Sequence, residues 1–363
     1  MPIQTAIDSI SNSQGSPFAF KNRIINGAMV IDQRNAGASV SATNAELYTV
    51  DRFKCLQAIA TSKFTVQQSS TVPTGFTKSV VLTSSSAYTV LSSDYFLYRQ
   101  SIEAFNVADL GWGTASAATV TLSFWVRSSL TGTFGGSLGN SASNRSYPFS
   151  YTINAANTFE YKTITIAGDT TGTWATDNSA GIVVNWSLGM GSTYVGTANV
   201  WAGTFYGAPT GSTNLVSTNG ATLNITGVQL EKGTQATAFD YRDHGNELRM
   251  CQRYFCKTFP QATAPAQNAG TAGCIVQQDS GSAGFGTQIQ WRFPVTMRAT
   301  PSTFTTFNPS AANANPRNTA DNTDGSAIGS NVASSDSAYA IVSGNSVGVG
   351  RCIAVHMTAN AEL

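Results

Sequence analysis

The chain has 363 residues, 11% of them charged, and a formal net charge of +1 at pH 7. Charged content is under half of the ~25% usual for soluble domains, yet the chain carries 19 Phe, 12 Tyr and 6 Trp, which excludes extended disorder. The near-zero net charge removes an electrostatic case for nucleic acid or an anionic membrane.

The first 21 residues are polar, with Ile3, Ile7 and Ile10 as thinly spaced apolar positions. The segment is too small to fold alone. It reads either as a frayed terminus or as an arm that orders against a partner. It has no basic n-region and no continuous apolar stretch, so it does not read as a secretory signal. No run in the chain approaches 18 apolar residues, so membrane insertion is not expected.

Glycine is abundant (33 residues), as are Ser, Thr and Asn, while Lys and Glu are scarce. That is the composition of short strands joined by turns, not of surface helices. Across 22–243 a period-two pattern recurs. Val120, Leu122, Phe124 and Val126 alternate with Thr121, Ser123, Trp125 and Arg127, as in a strand with one buried face. Phe149, Tyr151 and Ile153 repeat the pattern, as do Ile164 with Ile166, Ile182 through Leu188, and Val228 with Leu230. The Gly/Ser/Asn/Thr-rich stretches 131–144, 167–180 and 189–220 read as loops or broken strands. The region is predicted to be one large jelly-roll β-sandwich.

Residues 244–257 break the pattern. Leu248, Cys251 and Phe255 fall at i, i+3 and i+7, which predicts a linker helix. The segment 258–363 returns to alternation and is predicted to be a second, smaller β-domain. Within it, 308–337 is almost free of large apolar residues and reads as a long loop. The fold class is therefore all-β: a large sandwich, a short helix and a smaller β-unit.

The five cysteines, Cys55, Cys251, Cys256, Cys274 and Cys352, are odd in number and irregularly spaced. They make neither a disulfide framework nor, with His244 and His356, a zinc site. All five are read as reduced, small core hydrophobes. There is no Gly-x-Ser-x-Gly elbow and no Walker loop, which speaks against a serine hydrolase and against nucleotide binding. Neither a cofactor nor a metal is expected. Asn26-Gly27 with Glu231 or Asp240 could supply oxygens to calcium, although a structural role suits them better. Asp94, Glu103, Asp109, Glu160, Asp169 and Asp177 are carboxylates available in principle for glycoside cleavage. Sugar binding asks for less: flat aromatic faces and polar neighbours. Trp112, Trp174, Tyr194, Trp201 and Tyr206 all sit in Gly/Thr-rich loops and form the candidate sugar platform, whereas Trp125, Trp186 and Trp291 lie in strand patterns and could face either way.

Two separated segments carry a resemblance. Asn22-Arg23-Ile24-Ile25-Asn26-Gly27-Ala28-Met29, Asp32-Gln33-Arg34 and Tyr48-Thr49-Val50-Asp51-Arg52-Phe53 are similar to the opening of a domain found in tailed-phage tail proteins. Gly227-Val228-Gln229-Leu230-Glu231-Lys232-Gly233 with Phe239-Asp240-Tyr241-Arg242 resembles its close, and Glu247–Phe255 the short helix that follows it. The resemblance implies a carbohydrate-binding-module-like jelly roll on a tail fibre or related virion appendage. It further implies a homotrimer located in the virion tail; the reading favoured for it is that loop aromatics grip bacterial surface glycan without cleaving it. Ile3, Ile7 and Ile10 would attach it to a tail or baseplate protein. A glycan-cleaving appendage, or a head or baseplate decoration, is the alternative.

Overall fold

A computed structural model describes residues 20–278, 287–325, 328–342 and 351–363. Ile3, Ile7 and Ile10, the expected attachment positions, lie outside the described residues. The chain divides into two compact units. The first runs up to Val30 and resumes at Gly37–Asp243; the second combines Ile31–Ala36 with His244–Glu362.

In the first unit the strands are β1 (Val40–Ser41), β2 (Leu47–Tyr48), β3 (Phe53–Gln57), β4 (Phe64–Ser69), β5 (Ser79–Ser84), β6 (Tyr95–Glu103) and β7 (Val120–Ser128). They continue with β8 (Gly132–Asn140), β9 (Ser146–Ile153), β10 (Glu160–Ile166), β11 (Ala180–Met190), β12 (Val195–Gly196), β13 (Ala208–Pro209) and β14 (Thr222–Lys232). Two six-stranded sheets result, in the orders β1-β4-β5-β14-β7-β10 and β2-β3-β6-β11-β8-β9. The chain passes back and forth between them, as a jelly roll does.

The alternating sequence builds the layer between the sheets. Val120, Leu122, Phe124 and Val126 of β7 point into a core that includes Phe53, Tyr98, Trp186 and Leu223. Trp186 is fully buried there, with Phe53 tilted at 6.3 Å and Phe124 edge-on at 5.7 Å. Edge-to-face pairs of this kind add about 0.5–1.5 kcal/mol beyond their burial. Trp125, by contrast, faces the other way and is half-buried.

The 131–144 stretch differs from the sequence expectation, because Gly132–Asn140 is an unbroken strand, β8, paired with both β9 and β11. Its glycines are packing requirements. A Cβ on Gly136 would lie 2.2 Å from the Asn185 carbonyl oxygen, and one on Gly135 would lie 2.5 Å from Ser212 Oγ. Glycine therefore hides a strand that is crowded on both faces.

The residues that carried the resemblance meet in space and hold the unit closed. Asn22 donates through Nδ2 to the Val228 carbonyl (3.1 Å), and its Oδ1 accepts from the Ile24 and Leu230 N–H groups. Val228 N–H donates to the Gly27 carbonyl at 2.9 Å, an approach so close that a Cβ on Gly27 would fall 2.1 Å from Val228 O. Arg242 donates to the Ile24 and Asn22 carbonyls. Arg52 is fully buried and donates to the Ser101 carbonyl at 2.7 Å.

In the second unit, α1 (His244–Gln252) precedes β15 (Phe255–Lys257), β16 (Ile275–Gln278), β17 (Thr287–Arg292), β18 (Thr303–Phe307), β19 (Arg317–Asn318), β20 (Thr323–Asp324), β21 (Ile328–Ala333), β22 (Ser337–Val342) and β23 (Cys352–Asn360). Strand β23 is the hub, pairing with β15, β16, β18 and β19. Cys256, Ile289, Trp291, Val355 and Met357 lie in the core of this unit. The helix is shorter than its sequence stripe suggests. Tyr254 N–H bonds back to the Cys251 carbonyl, tightening the last turn, and Phe255 then pairs with Asn360. Tyr254, Phe255 and Cys256 are all buried, a run that suits a strand covered on both faces and not a one-sided helix.

The 308–337 stretch is likewise not one long loop. It holds β19, β20 and β21, and Asn side chains close the turns before β19 and between β19 and β20. Asn308 is fully buried; its Oδ1 accepts from the Ser310 and Ala311 N–H groups, while its Nδ2 donates to Asn313 Oδ1 and Asp324 Oδ1. A low apolar content here reflects turn chemistry.

Candidate functional site

Four loops of the first unit, near residues 111–118, 140–146, 167–176 and 199–206, are knitted together by backbone bonds. Gly113 N–H donates to Asp169 O (2.7 Å), and Ser146 and Ala202 exchange both backbone bonds. Asn140 Nδ2 donates to Thr173 O at 3.1 Å. This brings Trp112, Trp174 and Trp201 into one cluster. Ring centroids are 4.7 Å apart for Trp112–Trp174, 5.4 Å for Trp112–Trp201 and 5.7 Å for Trp174–Trp201, every pair edge-to-face. Each indole N–H is satisfied locally, by Ala118 O, Thr171 O and Ala167 O in turn.

The three tryptophans differ in exposure. Trp112 is buried and braces the others, whereas Trp174 and Trp201 are half-buried. Tyr147 tilts against Trp201 at 5.3 Å, and the Arg145 guanidinium lies 5.9 Å from the Trp201 ring centre. Arg145 grips Asp169 in two bonds, Nε to Oδ2 at 2.6 Å and Nη2 to Oδ1 at 2.7 Å. The fork geometry turns Nη1 away from that pair. Burial opposes ionisation of Asp169, but Arg145 and the N–H and hydroxyl of Thr171 outweigh it and hold the carboxyl below its usual range. The bond to Asp169 in turn pushes the Arg145 guanidinium up. Glycines make the approach possible. Gly172 has φ +78°, and a Cβ there would fall 2.6 Å from Arg145 Cγ; one on Gly113, φ +85°, would lie 2.8 Å from Gly172 O.

Tyr194 and Tyr206 stand apart from the tryptophan cluster. Tyr194 packs edge-on against Tyr95 at 5.7 Å and tilts against Phe205 at 5.9 Å, beside Leu97, Met190 and Ala208. Tyr206 lies against the Gly196 backbone, where a Cβ would come within 2.3 Å of its ring. The five loop aromatics thus form two groups. Of the strand tryptophans, Trp186 and Trp291 are buried and Trp125 is half-buried.

Of the carboxylates named from the sequence, Asp169 alone stands at the tryptophan cluster; the others are engaged elsewhere. Asp94 accepts from Tyr88 OH and Leu91 N–H, Asp109 pairs with Arg23 and Lys232, and Asp177 accepts from Ser179. Glu103 is buried. Burial opposes ionisation of Glu160, but Lys162 and the Ala155 and Asn154 N–H groups override it and bring its pKa down to about 2. The oxygens considered for calcium serve the fold: Glu231 accepts from Gln229 Nε2 and from Thr237, and Asn26 Nδ2 donates to Asp51 O. Among the described residues no group of three His, Cys, Asp or Glu side chains is placed to hold a metal.

Cys55, Cys251 and Cys256 are buried thiols outside any disulfide, as the core reading expects; Cys274 and Cys352, likewise unbridged, depart from it in being only half-buried. Burial pushes the Cys55 and Cys256 thiols up to about 12. No helix among the described residues is long and apolar enough to cross a membrane.

No protein-family model and no curated protein sequence matches the chain. Solved structures similar to it include the enzymatically active domain of tailspike protein 4 of bacteriophage CBA120, at 14% identity and TM-score 0.33, covering 58% of this chain and 21% of that one. A family 4 carbohydrate-binding module is similar at 14% identity and TM-score 0.28, covering 57% and 98%. A family 11 carbohydrate-binding module from Clostridium thermocellum, in complex with a β-1,3-1,4-mixed-linked tetrasaccharide, is similar at 10% identity and TM-score 0.29, covering 53% and 96%. The chain thus spans about a fifth of the length of the tailspike domain and nearly all of either module's.

Proposed function

We propose that the protein is a non-enzymatic appendage of a phage virion tail that binds bacterial surface glycan through its tryptophan edge. The observation that carries the glycan reading is the half-exposed pair Trp174 and Trp201, fixed by Trp112 and flanked by Arg145 and Asp169. Indole faces receive the C–H faces of a sugar, and a fixed guanidinium–carboxylate pair orders its hydroxyls. The phage setting and the homotrimer rest on the sequence resemblance at Asn22–Met29 and Gly227–Arg242, as does the attachment of residues 1–21 to a tail or baseplate protein.

Asp169, the carboxylate at the tryptophan edge, is held in its ionised form by Arg145 and Thr171, which suits a fixed binding group and not a glycosidase acid, whose pKa must be raised. Retention on purified host polysaccharide tests the reading. Trp174→Ala and Trp201→Ala are each expected to weaken retention about ten-fold, by the scale of base–aromatic stacking, ~1–3 kcal/mol per ring. Unchanged retention in both would move the site elsewhere, and release of oligosaccharides would replace binding with cleavage. Sedimentation equilibrium tests the trimer: a mass of 38.1 kDa at every concentration rejects it.

A further inference from the structure

The outer face of the sheet β1-β4-β5-β14-β7-β10 carries a groove of about 360 Å³ bounded by Trp125, Tyr161, Gly227 and Phe239. On one side Trp125 and Tyr161, directly opposite each other on β7 and β10, sit 5.4 Å apart and tilted by 46°. On the other, Phe76, Phe239 and Tyr241 form a triangle with centroid separations of 5.2, 5.5 and 4.8 Å. Gly227 sits between the two groups at φ +61°, in the register shift of β14 between Thr226 and Gln229. A Cβ there would lie 2.6 Å from the Phe76 ring and 3.0 Å from Trp125. The glycine thus lets both rings close on the strand. Tyr161 is 42% exposed and Tyr241 60% exposed, so one ring on each side of the groove is open to solvent.

From this geometry we infer that the groove is a second binding site, distinct from the tryptophan edge, for a neutral oligosaccharide. No residue lining the groove is charged, which disfavours phosphorylated or acidic ligands. Its volume falls at the small end of ligand sites, ~300–1,000 Å³. The rings are joined by polar groups that can meet a sugar's hydroxyls: the Tyr161 phenol, and the Thr237 oxygen, which can only accept because its proton goes to Glu231. A peptide strand is a poorer occupant. Strands β7 and β14 are each paired on both sides, so strand addition has only the outer edge of β10, beyond Tyr161 and not along the groove between Trp125 and Phe239. The inference shares with the proposed function only the ligand class.

The test uses the full chain and four neutral probes, cellohexaose, laminarihexaose, maltohexaose and mannohexaose, titrated by calorimetry. At least one is expected to bind, about ten-fold more weakly after Tyr161→Ala or Trp125→Ala by the same stacking scale, and within a few-fold of the parent after Tyr161→Phe. That binding is expected to survive Trp174→Ala combined with Trp201→Ala. Binding of none of the four overturns the inference, as does binding that ignores Tyr161→Ala. Loss of all binding in the Trp174/Trp201 double variant also overturns it and leaves the tryptophan edge standing. Survival there, with loss in Tyr161→Ala, upholds the groove and removes the edge as the site for that sugar. If Tyr161→Ala changes the sedimentation mass and not sugar binding, the face is a contact between copies and the inference falls.

Discussion

His356 shows how a single side chain sets a pH limit. It is fully buried, stacked on Phe259 at 3.8 Å with a 12° tilt, with Nδ1 3.0 Å from Thr258 Oγ1 and Nε2 2.9 Å from the Gly270 carbonyl. The Gly270 carbonyl can only accept, so the neutral ring carries its proton on Nε2, and Nδ1 accepts from the Thr258 hydroxyl, whose oxygen in turn accepts from Met357 N–H. Burial pushes the imidazole pKa below its ordinary 6.5, only partly opposed by the Gly270 carbonyl. With a folded pKa below the unfolded one, the stabilisation is complete above about pH 6.5 and is lost as pH falls toward the folded value. The urea midpoint of the second unit should therefore drop between pH 7.5 and pH 5, and His356→Gln should flatten that dependence. A parent midpoint constant across this range would refute the assignment. Gly172 offers a second residue-scale test. With φ +78° and Arg145 Cγ in the way, Gly172→Ala should cost about 1–3 kcal/mol and displace Arg145, weakening glycan retention as well as thermal stability.

At the scale of elements, β8 separates propensity from packing. Gly136→Ala improves the local strand preference but places a methyl group 2.2 Å from the Asn185 carbonyl oxygen. Overpacking a tight sheet costs about 1–3 kcal/mol, so thermal unfolding should report destabilisation where propensity alone predicts a gain. Gly211→Ala, at φ +82° with nothing within 4 Å, isolates the cost of the backbone angle. The same strand shows where sequence reading stops. Strands β7, β9, β10, β11 and β14 were legible because branched and aromatic residues alternate in them with polar ones, the signature of one buried face. In β8 only Phe134 and Leu138 carry apolar side chains inward, and four glycines erase the period. The helix was legible in existence but not in length, because the i+7 spacing of Phe255 mimics a helical stripe while belonging to a strand. The tryptophan edge was partly legible. Loop composition picked out Trp112, Trp174 and Trp201, but only the fold separates them from Tyr194 and Tyr206. Trp125 could have been assigned to the outer face from its alternation with Phe124 and Val126; its partner Tyr161 is distant in sequence and invisible there.

At the scale of the whole molecule, the chain order of the two units differs from a simple end-to-end arrangement, because Ile31–Ala36 belongs to the second unit although it lies far upstream. The chemistry of that segment explains the assignment. Gln33 Nε2 donates to the Phe255 carbonyl at 2.9 Å, and Lys257 Nζ donates to the Gln33 carbonyl at 2.7 Å. The Arg34 guanidinium lies 3.8 Å from the Phe255 ring centre and 3.2 Å from the Glu362 carboxylate, both partners of that ion pair being largely buried. Removing one member of a buried pair leaves the other charge desolvated and typically costs about 3–5 kcal/mol. A polypeptide of residues 244–363 lacks both Gln33 and Arg34, so it should unfold at a markedly lower urea concentration than the same unit within the intact chain. Arg34→Ala in the intact chain should reproduce most of that loss, whereas Arg34→Lys, which keeps the charge but gives up the planar stack on Phe255, should fall between. Gln33→Ala should cost about 1–2 kcal/mol through the lost bond to the Phe255 carbonyl. If the isolated 244–363 polypeptide unfolds at the same midpoint as the intact chain, the upstream segment is a passenger on the second unit and contributes nothing to its fold.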